Sequence, residues 1–474
     1  MTVFRGVDGK RDKRMIDMTI EEYIGKNDVR FIEEWSSLVS IPSVSSEVTH
    51  KGDMVRCAER WCELLQEAGA DRVEVMSSAG NPFVYGEYRS PDAGRDTPVV
   101  LVYGHYDVMP VEPLSMWTTD PWHATIKGNR LYGRGADDDK GQSMIQKVAF
   151  EYIRKFTKTP VHVKFILEGE EEIGSPSLHD FISRHRDLLR CDIILVSDTS
   201  MLSKELPSIT TGLRGLAYWQ IEVAGPNRDL HSGHFGGAVK NPINALCEIL
   251  SRMVDDSGVV SIPHFYDDVL ELSLEERSIL SSIPFSVEAY KAKIGIDDVF
   301  GEEGYSTIER NAYRPSLDVC GIWGGHTGEG SKTVIPSSAY AKVSARLVPN
   351  QDYEKIRQLF IDYVKSVVPR GVRVSVTPMH GGAAYLCPTD LPAYRAAEKA
   401  FETAFGKRPI PLRRGGSIPI ISDFEKTLGS KTILMCFGLE ENAIHSPNES
   451  MDIEVWRKGI VAVVNFYKNL YIRD

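Results

Sequence analysis

The segment GRGADDDKGQ, residues 133–142, carries three consecutive aspartates, Asp137, Asp138 and Asp139, between glycines. Adjacent carboxylates repel one another, and each raises the pKa of its neighbours unless a cation compensates. The run therefore indicates either a solvated acidic turn or a site for a strongly positive group. The residue types alone leave open which aspartate would hold a cation.

A second acidic run, Glu170-Glu171-Glu172, lies in the segment EGEEEIGS. One interpretation is a helix N-terminus, where the helix dipole stabilises carboxylates. In the other interpretation one glutamate binds metal while its neighbour stays free as a general base, because successive side chains on a loop point apart.

Further residues could complete a metal site. His105 is followed two residues later by Asp107, which could accept the second ring N–H and fix the tautomer, and Asp198 and His445 lie in other polar segments. Each alone is more often structural. Together with the two acidic runs they supply two histidines, two aspartates and one glutamate as ligands, with one glutamate to spare. That number suits two cations that share a carboxylate, an arrangement that activates a water and stabilises a developing oxyanion.

Four short apolar runs precede these polar residues. They are VVLVY (99–103) before His105, VHVKFIL (161–167) before the glutamate run, IILV (193–196) before Asp198 and TILMCF (432–437) before His445. Helical stretches separate most of them, which predicts an α/β fold with a doubly wound, mostly parallel sheet. The loops that follow the carboxyl ends of such strands converge on one crevice, so we expect the four polar segments to meet there.

The pattern changes near Thr211, where residues 211–225 begin to alternate between apolar and polar side chains, as 345–349 and 373–378 also do. An amphipathic helix is predicted after Asn241-Pro242. These features indicate an inserted α+β domain that acts as a lid. The predicted domains are a discontinuous catalytic domain of residues 1–212 and 381–474, and a lid and dimerisation domain of residues 213–380.

The composition is that of a globular protein with more than one domain: 474 residues, 42% hydrophobic and 26% charged. A formal net charge of −11 argues against a nucleic-acid or anionic-membrane partner. No apolar run approaches the ~20 residues of a membrane span, and the N-terminal residues lack the apolar core of a secretory signal. Seven scattered cysteines indicate a reduced, cytoplasmic protein.

An ordered set of motifs resembles the dinuclear metallopeptidases related to carboxypeptidase G, the ArgE/DapE deacylases and aminoacylase. Within these it is most similar to the cytosolic non-specific dipeptidase and carnosinase group. The motifs are VYGHYDVMPVEP, RLYGRGADDDKGQ, EGEEEIGS, LVSD, DLHSGHFGG, KTVIP and IHSPNE. The resemblance extends from about residue 25 to the end of the chain.

The resemblance implies two divalent metal ions per subunit, with Zn²⁺ preferred and Mn²⁺ as the alternative, since mixed histidine and carboxylate ligands suit both. His105 and Asp198 would bind one ion, and Glu172 and His445 the other. Asp138 would bridge them, because the family pattern of Asp, any residue, Lys-Gly matches Asp138 and the three residues after it. A cis peptide bond often follows the bridging aspartate in this family.

The resemblance also implies catalytic roles. Asp107 would orient His105, and Glu171 would be the general base that takes a proton from the bridging water and passes one to the leaving amine. His231 would reach across a homodimer to stabilise the oxyanion.

Four further residues would bind substrate: Arg346 and Thr333 the C-terminal carboxylate, with Gly416 and Ser417 lining the pocket. The sequence departs from its relatives at His234, Trp323, Asp137 and Asp139.

We therefore predict a metal-dependent dipeptidase that cleaves dipeptides with a free C-terminal carboxylate. An N-acyl-amino-acid deacylase would share every catalytic residue, but the long insertion favours the dipeptidase group. A non-catalytic, metal-free scaffold would lack a ligand or the base, and all are present. The chain has no GxSxG, GxxxxGK[ST] or HExxH motif, so serine-hydrolase, P-loop and zincin chemistry find no support.

Overall fold

The computed structural model describes residues 18–416 and 419–470. These residues form two compact units. The first contains 18–211, 387–412 and 423–470, and the second contains 212–386 and 413–422. The second unit thus extends past the predicted boundary at 380 and takes in 413–422 as well. The segment that begins at Arg413 belongs to the second unit because of its contacts there. The Arg413 backbone N–H donates to the Tyr313 hydroxyl at 3.1 Å, and the Arg413 guanidinium donates to the Glu276 carboxylate at 2.7 Å.

The α-helices, in chain order, are α1 (Ile20–Val39), α2 (Lys51–Ala68), α3 (Lys140–Phe156), α4 (Leu178–Arg184), α5 (Arg186–Leu189), α6 (Ser232–Phe235), α7 (Pro242–Leu250), α8 (Leu274–Ser281), α9 (Val287–Ile294), α10 (Thr307–Ala312), α11 (Tyr353–Ser366), α12 (Pro392–Phe405), α13 (Pro419–Leu428) and α14 (Ile453–Asn469). Short 3₁₀ helices are η1 (Val48–His50), η2 (Leu114–Met116), η3 (Glu171–Ile173) and η4 (Glu440–Asn442).

The strands are β1 (Arg72–Met76), β2 (Phe83–Tyr88), β3 (Val99–His105), β4 (Thr125–Lys127), β5 (Arg130–Tyr132), β6 (His162–Glu168), β7 (Ile193–Val196), β8 (Ser208–Leu213), β9 (Gly215–Ala224), β10 (Leu230–His231), β11 (Ser316–Gly324), β12 (Val334–Ile335), β13 (Ser338–Leu347), β14 (Arg373–Gly382), β15 (Tyr385–Leu386), β16 (Ile410–Arg414), β17 (Lys431–Leu434) and β18 (Ser450–Asp452).

The main sheet of the first unit has the order β1-β2-β6-β3-β7-β17-β8. Its four central strands, β6, β3, β7 and β17, are mutually parallel. The pairs toward either side, β1 with β2, β2 with β6 and β17 with β8, are antiparallel. The predicted α/β class with a mostly parallel sheet is confirmed for this centre, and the antiparallel flanks make the sheet mixed.

The central strands are apolar because they are buried, which is the usual pattern of parallel strands covered by helices. In β3 every residue from Val100 to His105 is buried, and β7 is buried over its last three residues. The strand predicted for 432–437 spans only Lys431–Leu434, since the chain turns away after one further bond from the Met435 N–H to the Val196 carbonyl, 2.9 Å long. Parallel strands end at the same edge of a sheet, so the four polar segments emerge together.

The second unit contains an antiparallel sheet of order β11-β13-β9-β14. Burial alternates along β9 with a period of two residues, which leaves one apolar face for α7 and α11 to cover. Trp219 on that face stacks on Phe360 of α11 with ring centroids 3.9 Å apart. The predicted helix after Asn241-Pro242 is α7, and Asn241 caps it by accepting the Ile243 N–H at 2.9 Å.

All seven cysteines are free thiols. Among the helices of the described ranges, none has the length and apolar character that crossing a membrane requires.

Candidate metal centre

The possible metal ligands form two groups. His105, Glu172, Asp198 and His445 lie at or beyond the ends of the central strands, whereas Asp138 lies between β5 and the start of α3. His105, Asp138 and Asp198 form the first group, and Asp138, Glu172 and His445 form the second. Within each group the potential ligand atoms all lie within 4.8 Å of one another. Asp138 belongs to both groups, so the structure brings together all five residues that the sequence indicated as ligands.

Each carboxylate oxygen of Asp138 faces a different histidine. Oδ1 is 3.0 Å from Nε2 of His105, and Oδ2 is 2.9 Å from Nε2 of His445. The His105 Nε2 atom is also 3.6 Å from Asp198 Oδ1, and the His445 Nε2 atom is 3.2 Å from Glu172 Oε2. This is the arrangement in which one carboxylate can bridge two cations.

Asp107 contacts both His105 and the glutamate run. Nδ1 of His105 is 3.1 Å from the Asp107 carbonyl oxygen and 3.4 Å from its Oδ1 atom. The Asp107 carboxylate also accepts the backbone N–H groups of Glu171 and Glu172, at 3.2 and 3.0 Å. Asp107 thus caps η3 and fixes the adjacent glutamates, a contact that the sequence reasoning did not anticipate. Glu171 itself belongs to neither ligand group.

Glu449 holds the loop of Asp138 in place, and sequence reasoning missed it. Its buried carboxylate accepts the N–H groups of Asp137 and Asp138 on Oε1, at 3.0 and 3.1 Å. Its Oε2 atom accepts from the Gly135 N–H at 3.1 Å and the Arg134 guanidinium at 2.8 Å. The available signal was the acid at the end of IHSPNE, four residues after His445. The Asp138–Asp139 peptide bond, at the start of α3, is cis.

The electrostatics of the centre favour a cation. Burial raises the pKa of Glu172 to about 7 and also raises the pKa of Asp198 and, strongly, of Glu171. Hydrogen bonds to Asp138 and Glu172 raise the pKa of His445 to about 10. At Asp138, burial is outweighed by the bonds from both histidines, so its pKa is lowered. Carboxylates this close hold their charge at neutral pH only if positive charge lies among them, and mixed imidazole and carboxylate donors fit divalent metal ions.

The remaining predicted site residues lie in the second unit. His231 and Thr333 adjoin each other where β10 pairs with β12, with His231 Nε2 3.5 Å from Thr333 Oγ1, and both are exposed. Arg346 lies on β13 opposite Leu216 of β9. The carbonyl oxygen of Gly416 accepts the Arg214 N–H at 3.2 Å. Ser417 lies outside the described residues.

His234 and Trp323, at which the sequence analysis expects a departure from the family, also lie in the second unit. The rings of His234 and His231 are 4.6 Å apart. Trp323 stacks on Tyr340 with ring centroids 5.3 Å apart and keeps 41% of its surface exposed.

Comparisons with known proteins identify the family of the chain. The family model of peptidase family M20/M25/M40 matches residues 101–469. The chain is 34% identical to the Cys-Gly metallodipeptidase of Schizosaccharomyces pombe over 93% of this chain and 95% of the relative. It is 30% identical to the human Beta-Ala-His dipeptidase over 92% and 88%. A solved M20 family metallo-carboxypeptidase of Sulfolobus solfataricus superposes with a TM-score of 0.81 at 30% identity, covering 93% of this chain and 99% of that one.

The resemblance to dinuclear metallopeptidases is therefore confirmed, and the ligand groups imply that divalent metal ions are bound. The chain belongs to peptidase family M20/M25/M40 and is a metal-dependent peptide-bond hydrolase.

Proposed function

We propose that the protein is a dipeptidase that hydrolyses the amide bond of dipeptides with a free C-terminal carboxylate. The observation that carries this proposal is the position of Asp138 between two histidines, beside a glutamate that neither ligand group uses. The relatives named as dipeptidases, which match over nine-tenths of the chain, support the substrate class.

The two ligand groups would hold two metal ions, Zn²⁺ in preference and Mn²⁺ as the alternative, with His105 and Asp198 on one and Glu172 and His445 on the other. When bound, the ions lower the pKa of a water and polarise the scissile carbonyl. Asp138 would serve both groups, because each of its two oxygens lies next to a different histidine.

Glu171 would act as the general base. Its backbone is fixed by Asp107, and burial raises the pKa of its carboxyl group. A carboxyl group of raised pKa can take a proton from the attacking water and pass one to the leaving amine. Asp107 would hold His105 and Glu171 in fixed positions relative to each other, since its side chain contacts both residues.

The second unit would supply substrate contacts and the homodimer. The planar guanidinium of Arg346 suits a terminal carboxylate, and Thr333 would assist it, with Gly416 and Ser417 lining the pocket. His231 would act across the dimer on the oxyanion. A cytoplasmic location is also proposed, on the basis of the seven free cysteines.

The substrate test is a panel of dipeptides, tripeptides and N-acetyl and N-succinyl amino acids, assayed with Zn²⁺ and with Mn²⁺. We expect hydrolysis of dipeptides and loss of activity when their C-terminus is amidated. Activity on acylated amino acids alone would favour the deacylase. A preference for tripeptides would favour a carboxypeptidase, the activity named for the Sulfolobus solfataricus protein.

The test of the base is Glu171→Gln, with the exposed Glu441→Gln as the matched control. Loss of a general base lowers kcat by about 100- to 10,000-fold. We expect this loss in the first variant while its metal content, measured by elemental analysis, stays that of the parent. Unchanged kcat in Glu171→Gln would refute the assignment.

A further inference from the structure

We infer that Asp137 and Asp139, on either side of Asp138, are positioning residues that each fasten one histidine-bearing loop to the shared ligand. Asp139 would hold the loop of His105, and Asp137 the loop of His445. The inference rests on the proposed function, in which these two loops hold different metal ions.

Asp139 binds the end of β3. Its Oδ2 atom accepts the backbone N–H of His105 at 3.1 Å and the hydroxyl of Ser143, on the first turn of α3, at 2.7 Å. The approach is so close that a Cβ on Gly104 would lie 2.7 Å from this oxygen and 2.2 Å from the Ser143 hydroxyl. The main chain that carries the first histidine is therefore fixed to the start of α3.

Asp137 binds the opposite loop. Its Oδ2 atom accepts from Nδ2 of Asn442 at 2.7 Å, and Asn442 is fully buried three residues before His445. Here too the contact is close, because a Cβ on Gly438 would lie 2.9 Å from the same oxygen. The segment after β17 is therefore fixed to the aspartate run independently of Asp139.

Neither flanking aspartate belongs to a ligand group. Each uses its Oδ2 atom in these contacts, while the Oδ1 atom of each is buried without a hydrogen-bond partner among the described residues. An asparagine could keep the accepting oxygen in place and so keep the loop attached, although its NH₂ group at the Oδ1 position would be a buried donor without a partner, which lowers the stability of the fold. If the aspartates act as fasteners, asparagine should substitute for them and alanine should not.

The competing explanation is that the two extra acids only add negative charge to attract cations. Charge acts on both ions at once and is lost equally in asparagine and alanine. Fastening acts on one loop and depends on an acceptor oxygen. The two explanations therefore differ in which ion is weakened and in which substitution weakens it.

The experiment measures Zn²⁺ affinity by competition with a chromophoric chelator in two backgrounds. Glu172→Gln disables the second ligand group and leaves the first, whereas Asp198→Asn disables the first and leaves the second. Loss of a residue that orients a metal ligand typically weakens metal binding about 10- to 100-fold. We expect Asp139→Ala to do so only in the Glu172→Gln background, and Asp137→Ala only in the Asp198→Asn background.

Asp139→Asn and Asp137→Asn should stay near their background affinities. Equal weakening in both backgrounds, or asparagine as harmful as alanine, would overturn the inference. Two variants outside the aspartate run keep it testable if an alanine variant fails to fold. Asn442→Ala should reproduce Asp137→Ala, and Ser143→Ala should weaken only the first group, by a smaller factor.

The parent protein separates this inference from the proposed function. If it binds no Zn²⁺ and cleaves no dipeptide, the proposed function fails. If it binds Zn²⁺ and cleaves dipeptides while the variants show no difference between sites, only the inference about the flanking aspartates fails.

Discussion

Glu449 offers the sharpest test of how the loop of Asp138 is held. The change Glu449→Gln preserves shape but replaces one accepting oxygen by an N–H donor. The parent carboxylate accepts four hydrogen bonds, three of them from backbone N–H groups of the loop, at Gly135, Asp137 and Asp138, and one from the Arg134 guanidinium. All four donors lie in the segment that carries the shared ligand.

The magnitude follows from those four bonds. If the amide oxygen of the variant stays with Arg134 and Gly135, its NH₂ group faces the N–H groups of Asp137 and Asp138. A buried donor left without an acceptor costs about 1–3 kcal/mol, so two cost about 2–6 kcal/mol. The opposite amide orientation would instead leave the buried Arg134 without its partner, which costs about as much.

Hydrogen exchange followed by mass spectrometry is the suitable assay, because it measures local opening in one segment. We expect peptides covering residues 133–142 to lose protection by about a thousandfold, the equivalent of about 4 kcal/mol. Peptides from β9 in the second unit serve as an internal reference, and Glu441→Gln serves as the exposed control. Exchange of 133–142 that matches this control would refute the view that Glu449 holds the loop.

Three further predictions concern the metal and the stability of the first unit. Removing metal with a chelator should abolish dipeptide hydrolysis and adding Zn²⁺ or Mn²⁺ should restore it; activity in protein shown to be metal-free would contradict the proposal. Glu151→Gln should cost about 1.5–3 kcal/mol in urea unfolding at pH 7, because the buried Lys147 loses one of its two carboxylate partners and keeps Glu34. Burial opposes ionisation of Glu151, but Lys147 and other cations lower its pKa, so its contribution is present above the ordinary value of 4.5 and is lost as the pH falls below it. Variant and parent should therefore converge in acid, and a difference independent of pH would count against the ion pairs. Gly141→Ala should cost about 1–3 kcal/mol in the same assay, because its Cβ would lie 1.9 Å from the Ala136 carbonyl oxygen, whereas Gly25→Ala, with open space, should cost nothing.

The ligands of the candidate centre could be predicted because two simple patterns coincide. Buried parallel strands appear in the sequence as apolar runs, and their carboxyl ends meet at one edge of the sheet. The sequence therefore predicts that His105, Asp198 and the glutamate run lie close together. The same reasoning worked for His445 although its strand is shorter than predicted. The choice of Asp138 within its run came from the family pattern, since three adjacent aspartates offer identical chemistry.

The supports of the centre could not be predicted, because they depend on backbone directions in loops. The Glu449 carboxylate points at main-chain N–H groups more than 300 residues away in sequence. No periodicity encodes such a contact. The bonds from Glu171 and Glu172 to Asp107 are of the same kind. For a related reason, the sequence did not indicate that the segment beginning at Arg413 belongs to the second unit. That segment joins the unit through individual contacts, such as the one between Arg413 and Tyr313.

The place of β17 in the main sheet affects how the chain can fold while it is being synthesised. β7 and β8 follow each other in the chain, yet β17, contributed more than 200 residues later, lies between them. During synthesis a chain that has emerged as far as β16 would have β7 and β8 but not the strand that joins them, and exposed strand edges invite pairing with other chains. The same late segment delivers His445. Closure of the sheet and completion of the second ligand group thus require the same stretch of polypeptide, so a chain that has not yet reached it has only the first ligand group complete.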